Sequence, residues 1–194
     1  FRVIGSECWS DDVSFAEETK KIGVTGICGS GVIEAIAELY LCGVISQDGL
    51  FDESMMGRSN RIIKEGRTCS YLFHTGEPEL RITQNDIRAI QLAKAALFAG
   101  IRLLMDHFGI EEVQRIRLAG AFGSHIDVKY AMILGLIPDC DLEHVSSAGN
   151  AAGTGARMAL LNHESRREIE EIVQKIEKVE TAVEPAFQQH FVDA

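Results

Sequence analysis

Three times in this chain of 194 residues a helix pattern is preceded by a turn made almost wholly of small residues. "GICGSG" at 26–31 opens the first, "LAGAFGS" at 118–124 the second and "AGNAAGTG" at 148–155 the third. Bulk is given up where a strand should be handing side chains to a core, and this constrains the fold more than any other feature. Strands and helices that alternate through short connections specify an α/β layered architecture. In such folds ligands sit at the carboxyl ends of strands, where helix N-termini leave N–H groups unsatisfied and present positive dipole ends. Glycine there lets a ligand approach the backbone with no Cβ in the way.

The pattern between the turns is mostly regular. "FRVIG" at 1–5 reads as a strand, "SDDVSFAEETKK" at 10–21 as a solvated segment, and Val24–Thr25 as a short β-like approach to the first helix. That helix brings Val32, Ile36, Leu39 and Tyr40 close to one face and stops at Gly43. Residues 44–66 read as an exposed polar excursion. "RTCSYLFH" and "ELRIT" flank Thr75-Gly76-Glu77-Pro78 as a hairpin, and Thr83 with Asp86 supplies an N-cap pattern for a long helix. In it Ile87, Ile90, Leu97, Ile101, Leu104 and Phe108 recur at helical spacing, and Leu92, Ala95, Ala96, Ala99 and Leu103 widen the face, which predicts burial between layers. "RIRLAGAF" then runs into helix "HIDVKYAMILG", and "EHVSSAG" into "NAAGTGARMALL". A charged outer helix follows from Ser165, with Ser165 and Glu168 as its capping box and Ile169, Ile172, Val173, Ile176 and Val179 as its stripe.

Charge and composition remove whole classes of function. Nineteen Lys and Arg against 29 Asp and Glu give a net charge of −10, the wrong sign for gripping a polyphosphate backbone. No nucleic-acid partner is expected, although a helix N-terminus still accepts a small anion. The longest apolar region, "AKAALFAGIRLLM", is broken by Lys94 and Arg102 and falls short of the roughly 20 apolar residues that cross a bilayer, so no membrane partner is expected either. Phe1 opens the chain with no Met and no basic-then-apolar leader, which argues against a secretory signal and for a piece of a longer protein. Cys8, Cys28, Cys42, Cys69 and Cys140 are odd in number, scattered and without C-x-x-C spacing, as expected of reduced thiols in a cytoplasmic protein with no metal or cluster site in this chain. Cys28, inside a glycine cluster, reads as a small buried residue rather than a nucleophile. Neither G-x-x-x-x-G-K-[ST] nor G-x-G-x-x-G occurs.

Taken singly, each glycine turn is better explained by tight packing or positive φ than by a ligand, and His125 either meets a ligand edge or caps its turn. Taken together, four segments shift the balance. "GICGSGVIEAIAELYLCGVI", "ITQNDIRAIQLAKAALFAGIRLL", "RIRLAGAFGSHIDVKYAMILGLIPD" and "SSAGNAAGTGARMALL", in this order, resemble the C-terminal region of the reductive activators of corrinoid proteins. These are ATP-dependent iron–sulfur proteins of the acetate and sugar kinase, Hsc70 and actin superfamily. The resemblance covers most of residues 22–162.

What the resemblance implies is specific. Residues 1–194 form a single domain, a layered sheet-and-helix C-terminal lobe of a larger multidomain protein. "LAGAFG" is the adenosine segment, with Gly120, Ala121, Phe122 and Gly123, then Ser124, against the nucleotide, and Phe122 either packing inward or flanking the site. "GICGSG" starts a helix near the ribose or the phosphates through Gly29, Ser30 and Gly31. "AGNAAGTGA" is the interlobe connecting segment and contributes Gly149 and Asn150. No catalytic residue and no metal ligand fall in this chain. ATP is the cofactor, its Mg²⁺ requires an upstream lobe, and a [2Fe-2S] cluster belongs to an upstream domain, so the chain alone is expected to be inactive. The expected role is nucleotide binding in an activator that returns Co(II) corrinoid to Co(I) for a corrinoid methyltransferase system. Its expected partners are a corrinoid protein and a second copy in a homodimer. The alternatives are an interaction or dimerisation lobe without nucleotide, and part of a small-molecule kinase of the same superfamily.

Overall fold

The computed structural model describes residues 1–120, 123, 125–181 and 183–194. Along the chain run helices α1 (Phe15–Thr19) and α2 (Gly29–Leu41), strands β1 (Ile62–Glu65), β2 (Thr68–His74) and β3 (Leu80–Thr83), and the long helix α3 (Gln84–Phe108). Then come β4 (Ile116–Ala119), α4 (Val128–Ile133), β5 (Val145–Gly149), α5 (Ala151–Leu161), α6 (His163–Val173) and α7 (Pro185–Asp193). The strands make two sheets, an antiparallel β1-β2-β3 and a parallel pair β4-β5.

Local chemistry sets the element ends. Thr83 and Asp86 close a reciprocal capping box at the start of α3, and Gly109, left-handed at φ 64°, ends it, so that orphan amides and carbonyls at both ends find partners. Gly43, at φ 72°, ends α2 in the same way. Asp127 caps α4 by accepting from the Tyr130 amide, and Asn150 caps α5 by accepting from the Gly153 amide.

Helix α2 is shared between two cores. Its Ile36 and Leu39 pack with Ile45, Phe51, Ile62, Ile82 and Ile87 over the antiparallel sheet. Its Ile33 packs instead with Ala131, Leu136 and Ile137, against Ile116 and Leu118 of β4. Ile82 and Ile87 are each 1% exposed, and burying such side chains contributes about 1.5–3 kcal/mol apiece. Helix α7 lies back on α3, where Lys94 Nζ donates to the Ala194 carbonyl at 2.6 Å and His190 Nε2 meets Asp106 Oδ2 at 2.7 Å.

Several expectations are corrected. Residues 1–5 are not a strand: Gly5 turns the chain at φ 94°, and only Arg2 bridges, to Trp9. The segment at 10–21 holds the short α1, with Thr19 buried. The approach to α2 is unpaired, so α2 follows no strand. Residues 44–66 are no excursion, since Val44, Ile45, Phe51 and Ile62 are buried and β1 adds a second hairpin to β2. Their apolar residues are spaced by turns, and only tertiary packing gathers them. Helix α3 is buried on one side, at Ala95, Ala99 and Leu103, while Leu92, Leu97, Leu104 and Phe108 are exposed, and so is Tyr40 on α2. Helix α6 begins before Ser165, because Asn162 accepts from the Glu164 and Ser165 amides, and it ends at Val173, short of Ile176 and Val179.

Candidate functional site

Parallel pairing carries the ends of β4 and β5 to the same edge. Ala119 lies opposite Gly149, after an irregularity between Leu118 and Ala119, and the Gly120 amide donates to the Gly149 carbonyl at 2.8 Å. Both glycines are left-handed, Gly120 at φ 106° and Gly149 at φ 59°, a conformation that a Cβ opposes. A Cβ built on either would meet no described atom within 4 Å. The strand ends therefore combine a glycine-demanding backbone with space that no described atom fills. Gly123 is the opposite case. A Cβ there would lie 3.1 Å from the Ala119 carbonyl oxygen and 3.3 Å from Leu118 Cβ, so this glycine serves close packing.

The remaining expected positions divide. Asn150 Oδ1 is occupied at 2.9 Å by the Gly153 amide, a capping role. At α2, Gly29 is the first helical residue, the Gly31 amide donates to Cys28 Sγ at 3.4 Å, and Ser30 Oγ lies 3.4 Å from the same sulfur. Cys28 is thus an exposed N-cap and not the buried residue expected. No hydrogen bond among the described residues joins the Gly29–Gly31 turn to Gly120; the link is through Ile33, which shares its core with β4. Ala121, Phe122 and Ser124 lie outside the described residues. His125 is exposed.

An acidic group on α2 and α4 escaped the sequence reading. Where α2 meets α4, the Tyr130 hydroxyl donates to Glu38. Burial, then the nearby Asp127 charge, raises the Glu34 carboxyl above its usual range. Tyr130 is pushed up to about 12 by its bond to Glu38, by burial, and by the Glu38, Asp127 and Glu34 charges. Glu34 and Glu38 are one helical turn apart and Asp127 lies three residues before Tyr130, yet no spacing announces that the two pairs meet. Such a surface attracts hydroxyl donors and repels phosphate.

Among the described residues no group of three or more His, Cys, Asp or Glu could hold a metal ion, and no helix is long and apolar enough to cross a membrane. A cavity of about 990 Å³ lies along α3, and none of the described glycine-turn residues lines it.

A helix-and-sheet lobe with paired strand ends opening as glycine turns is the arrangement of nucleotide-binding lobes in the acetate and sugar kinase, Hsc70 and actin class. Residues 2–194 match the family model described as the C-terminal domain of RACo, the ASKHA domain, and the chain belongs to that family. Among curated proteins it is 37% identical over 179 residues to the corrinoid activation enzyme RamQ of Eubacterium limosum, covering 86% of this chain and 30% of RamQ. Among solved structures it resembles a reductive activator for corrinoid, iron–sulfur protein, with a TM-score of 0.78, 34% identity, and coverage of 87% of this chain and 28% of that one. The chain thus spans less than a third of the length of either relative.

Proposed function

We propose that this chain is the nucleotide-binding lobe of an ATP-dependent reductive activator that returns Co(II) corrinoid to Co(I). The observation that carries the reading is the joined pair of left-handed turns, Gly120 and Gly149, at the ends of β4 and β5, where a Cβ would meet no described atom within 4 Å. The two named relatives, one a corrinoid activation enzyme and the other a reductive activator, support the redox role.

In this reading the acidic group of α2 and α4 faces the same nucleotide. Glu34, Glu38 and Asp127 suit the hydroxyls of a ribose and oppose a triphosphate, so the lobe holds the nucleoside end. The described residues offer no carboxylate cluster for Mg²⁺ and no cysteine grouping for an iron–sulfur cluster. In this reading Mg²⁺, phosphates and cluster belong to other parts of the full-length protein. When bound, ATP supplies the free energy of phosphoryl transfer, a reaction catalysed mainly by positioned charge. This chain binds and orients the nucleoside, and the glycine turns let it approach the backbone. The assignment of residues 1–194 as one domain, the corrinoid-protein partner, the homodimer and the cytoplasmic location belong to the same proposal.

The test is calorimetric titration of ATP into the full-length protein, alongside ATP-dependent reduction of a Co(II) corrinoid protein followed by its absorbance. Saturable ATP binding with nucleotide-dependent Co(I) formation is expected. A folded protein that binds no ATP would favour the interaction-lobe alternative.

A further inference from the structure

Helix α3 borders a cavity along much of its length, beside the place where Lys94 holds the Ala194 carbonyl just past α7. Ile87, Ile90, Phe98, Ile101 and Met105 form one wall of the 990 Å³ cavity, and Met132, Leu134 and Pro138 lie on the facing segment. From residue 87 to residue 105 a helix rises about 27 Å. That length exceeds a single small molecule and matches several turns of a polypeptide helix read through anchors at i, i+3, i+4 and i+7.

The charges of the cavity are lopsided. Its two cations are already engaged, Lys94 with the Ala194 carbonyl at 2.6 Å and Arg102 with Asp106 at 3.8 Å within α3. Its four carboxylates meet no cation among the described residues, although Asp141 Oδ1 accepts from the Glu143 amide at 3.0 Å. Glu111 and Glu112, just past the end of α3, and Asp139 and Asp141, on the facing segment, are all exposed and form no ion pair among the described residues. An apolar floor with an uncompensated negative rim selects its occupant by complementarity. Nucleic acid and anionic lipid surfaces are repelled by such a rim.

We propose that this groove along α3 docks an amphipathic helix of a partner protein, one that lays an apolar stripe on α3 and carries Lys or Arg flanking that stripe. The rim carboxylates choose the partner's charge and speed its arrival, and the apolar wall holds it. The proposal does not depend on nucleotide binding.

The probe is a fluorescein-labelled 18-residue helical peptide with a leucine stripe and four flanking lysines, compared with the same peptide carrying glutamates in place of the lysines. Anisotropy with the full-length protein should show saturable binding of the lysine peptide, about tenfold or more tighter than the glutamate peptide and weakening as salt is raised. The double variant Glu111→Lys, Glu112→Lys, and separately Asp139→Lys, Asp141→Lys, should weaken the lysine peptide about tenfold. Both pairs are exposed, and an unchanged thermal melt serves as the folding control. The proposal is overturned by equal affinity for the two peptides, by no saturable binding, or by variants that bind as well as wild type. It is also overturned if light scattering shows that the peptide competes with self-association, which would assign the groove to a second copy.

Discussion

Gly120→Val separates what the backbone needs from what a ligand needs. At φ 106° any side chain strains the turn, at about 1–3 kcal/mol. For a lobe of this size that corresponds to a Tm lowered by roughly 2–12 °C. No steric term from the described chain adds to it, because a Cβ at 120 meets no described atom within 4 Å. The branched side chain would project into the space assigned to the nucleoside, where overpacking costs about 1–3 kcal/mol, or roughly 5- to 150-fold in Kd. Gly123→Ala is the comparison, since its Cβ would crowd the Ala119 carbonyl at 3.1 Å and lower stability through that contact. Calorimetric titration of ATP into both full-length variants, beside thermal melts with and without ATP, reads the two terms separately. A well-folded Gly120→Val protein with wild-type ATP affinity would refute the assignment of this turn to the nucleoside.

Tyr130→Phe should remove a late-titrating phenol. With Tyr130 pushed up to about 12 from the usual 10, the unfolded chain loses this proton first. The bond to Glu38 therefore supports the fold fully below pH 10, and the support is lost as pH rises from 10 to about 12. Alkaline absorbance titration of wild type minus variant should show a single component near the upper value, and a component at 10 would contradict the geometry. Ile87→Ala, at a site 1% exposed, should cost about 2–5 kcal/mol in denaturant unfolding; a loss below 1 kcal/mol would mean that this core is looser than described. Asn150→Ala should cost about 1 kcal/mol and speed hydrogen exchange at the Gly153 amide it caps, while leaving exchange in α3 unchanged.

The elements legible in the sequence are those whose signals are local. Thr83 and Asp86 lie three residues apart and cap α3 as expected, and the hairpin joining β2 to β3 is framed by its own turn. Strand β1 was hidden because its one buried residue, Ile62, gains meaning only beside Tyr71, from which it is separated by a turn. The α3 stripe was misjudged because helical spacing reports a face and not what covers it. At the candidate site Gly120 and Gly149 are singled out by recurring glycine turns together with the family resemblance, since each turn alone favours packing. Their hydrogen bond depends on a parallel register shifted between Leu118 and Ala119, which no local spacing encodes. Glu34 and Tyr130 were invisible for the same reason, because their meeting is a property of how α2 packs on α4.

The Gly120–Gly149 hydrogen bond makes the two turns a single mechanical part. A shift at the end of β4 must drag the start of α5 with it, since Asn150 caps that helix immediately after Gly149. Substitutions at 120 and 149 should therefore couple energetically in a double-mutant cycle, not add. A ligand that touches either turn pulls on a lever whose far arm is α5.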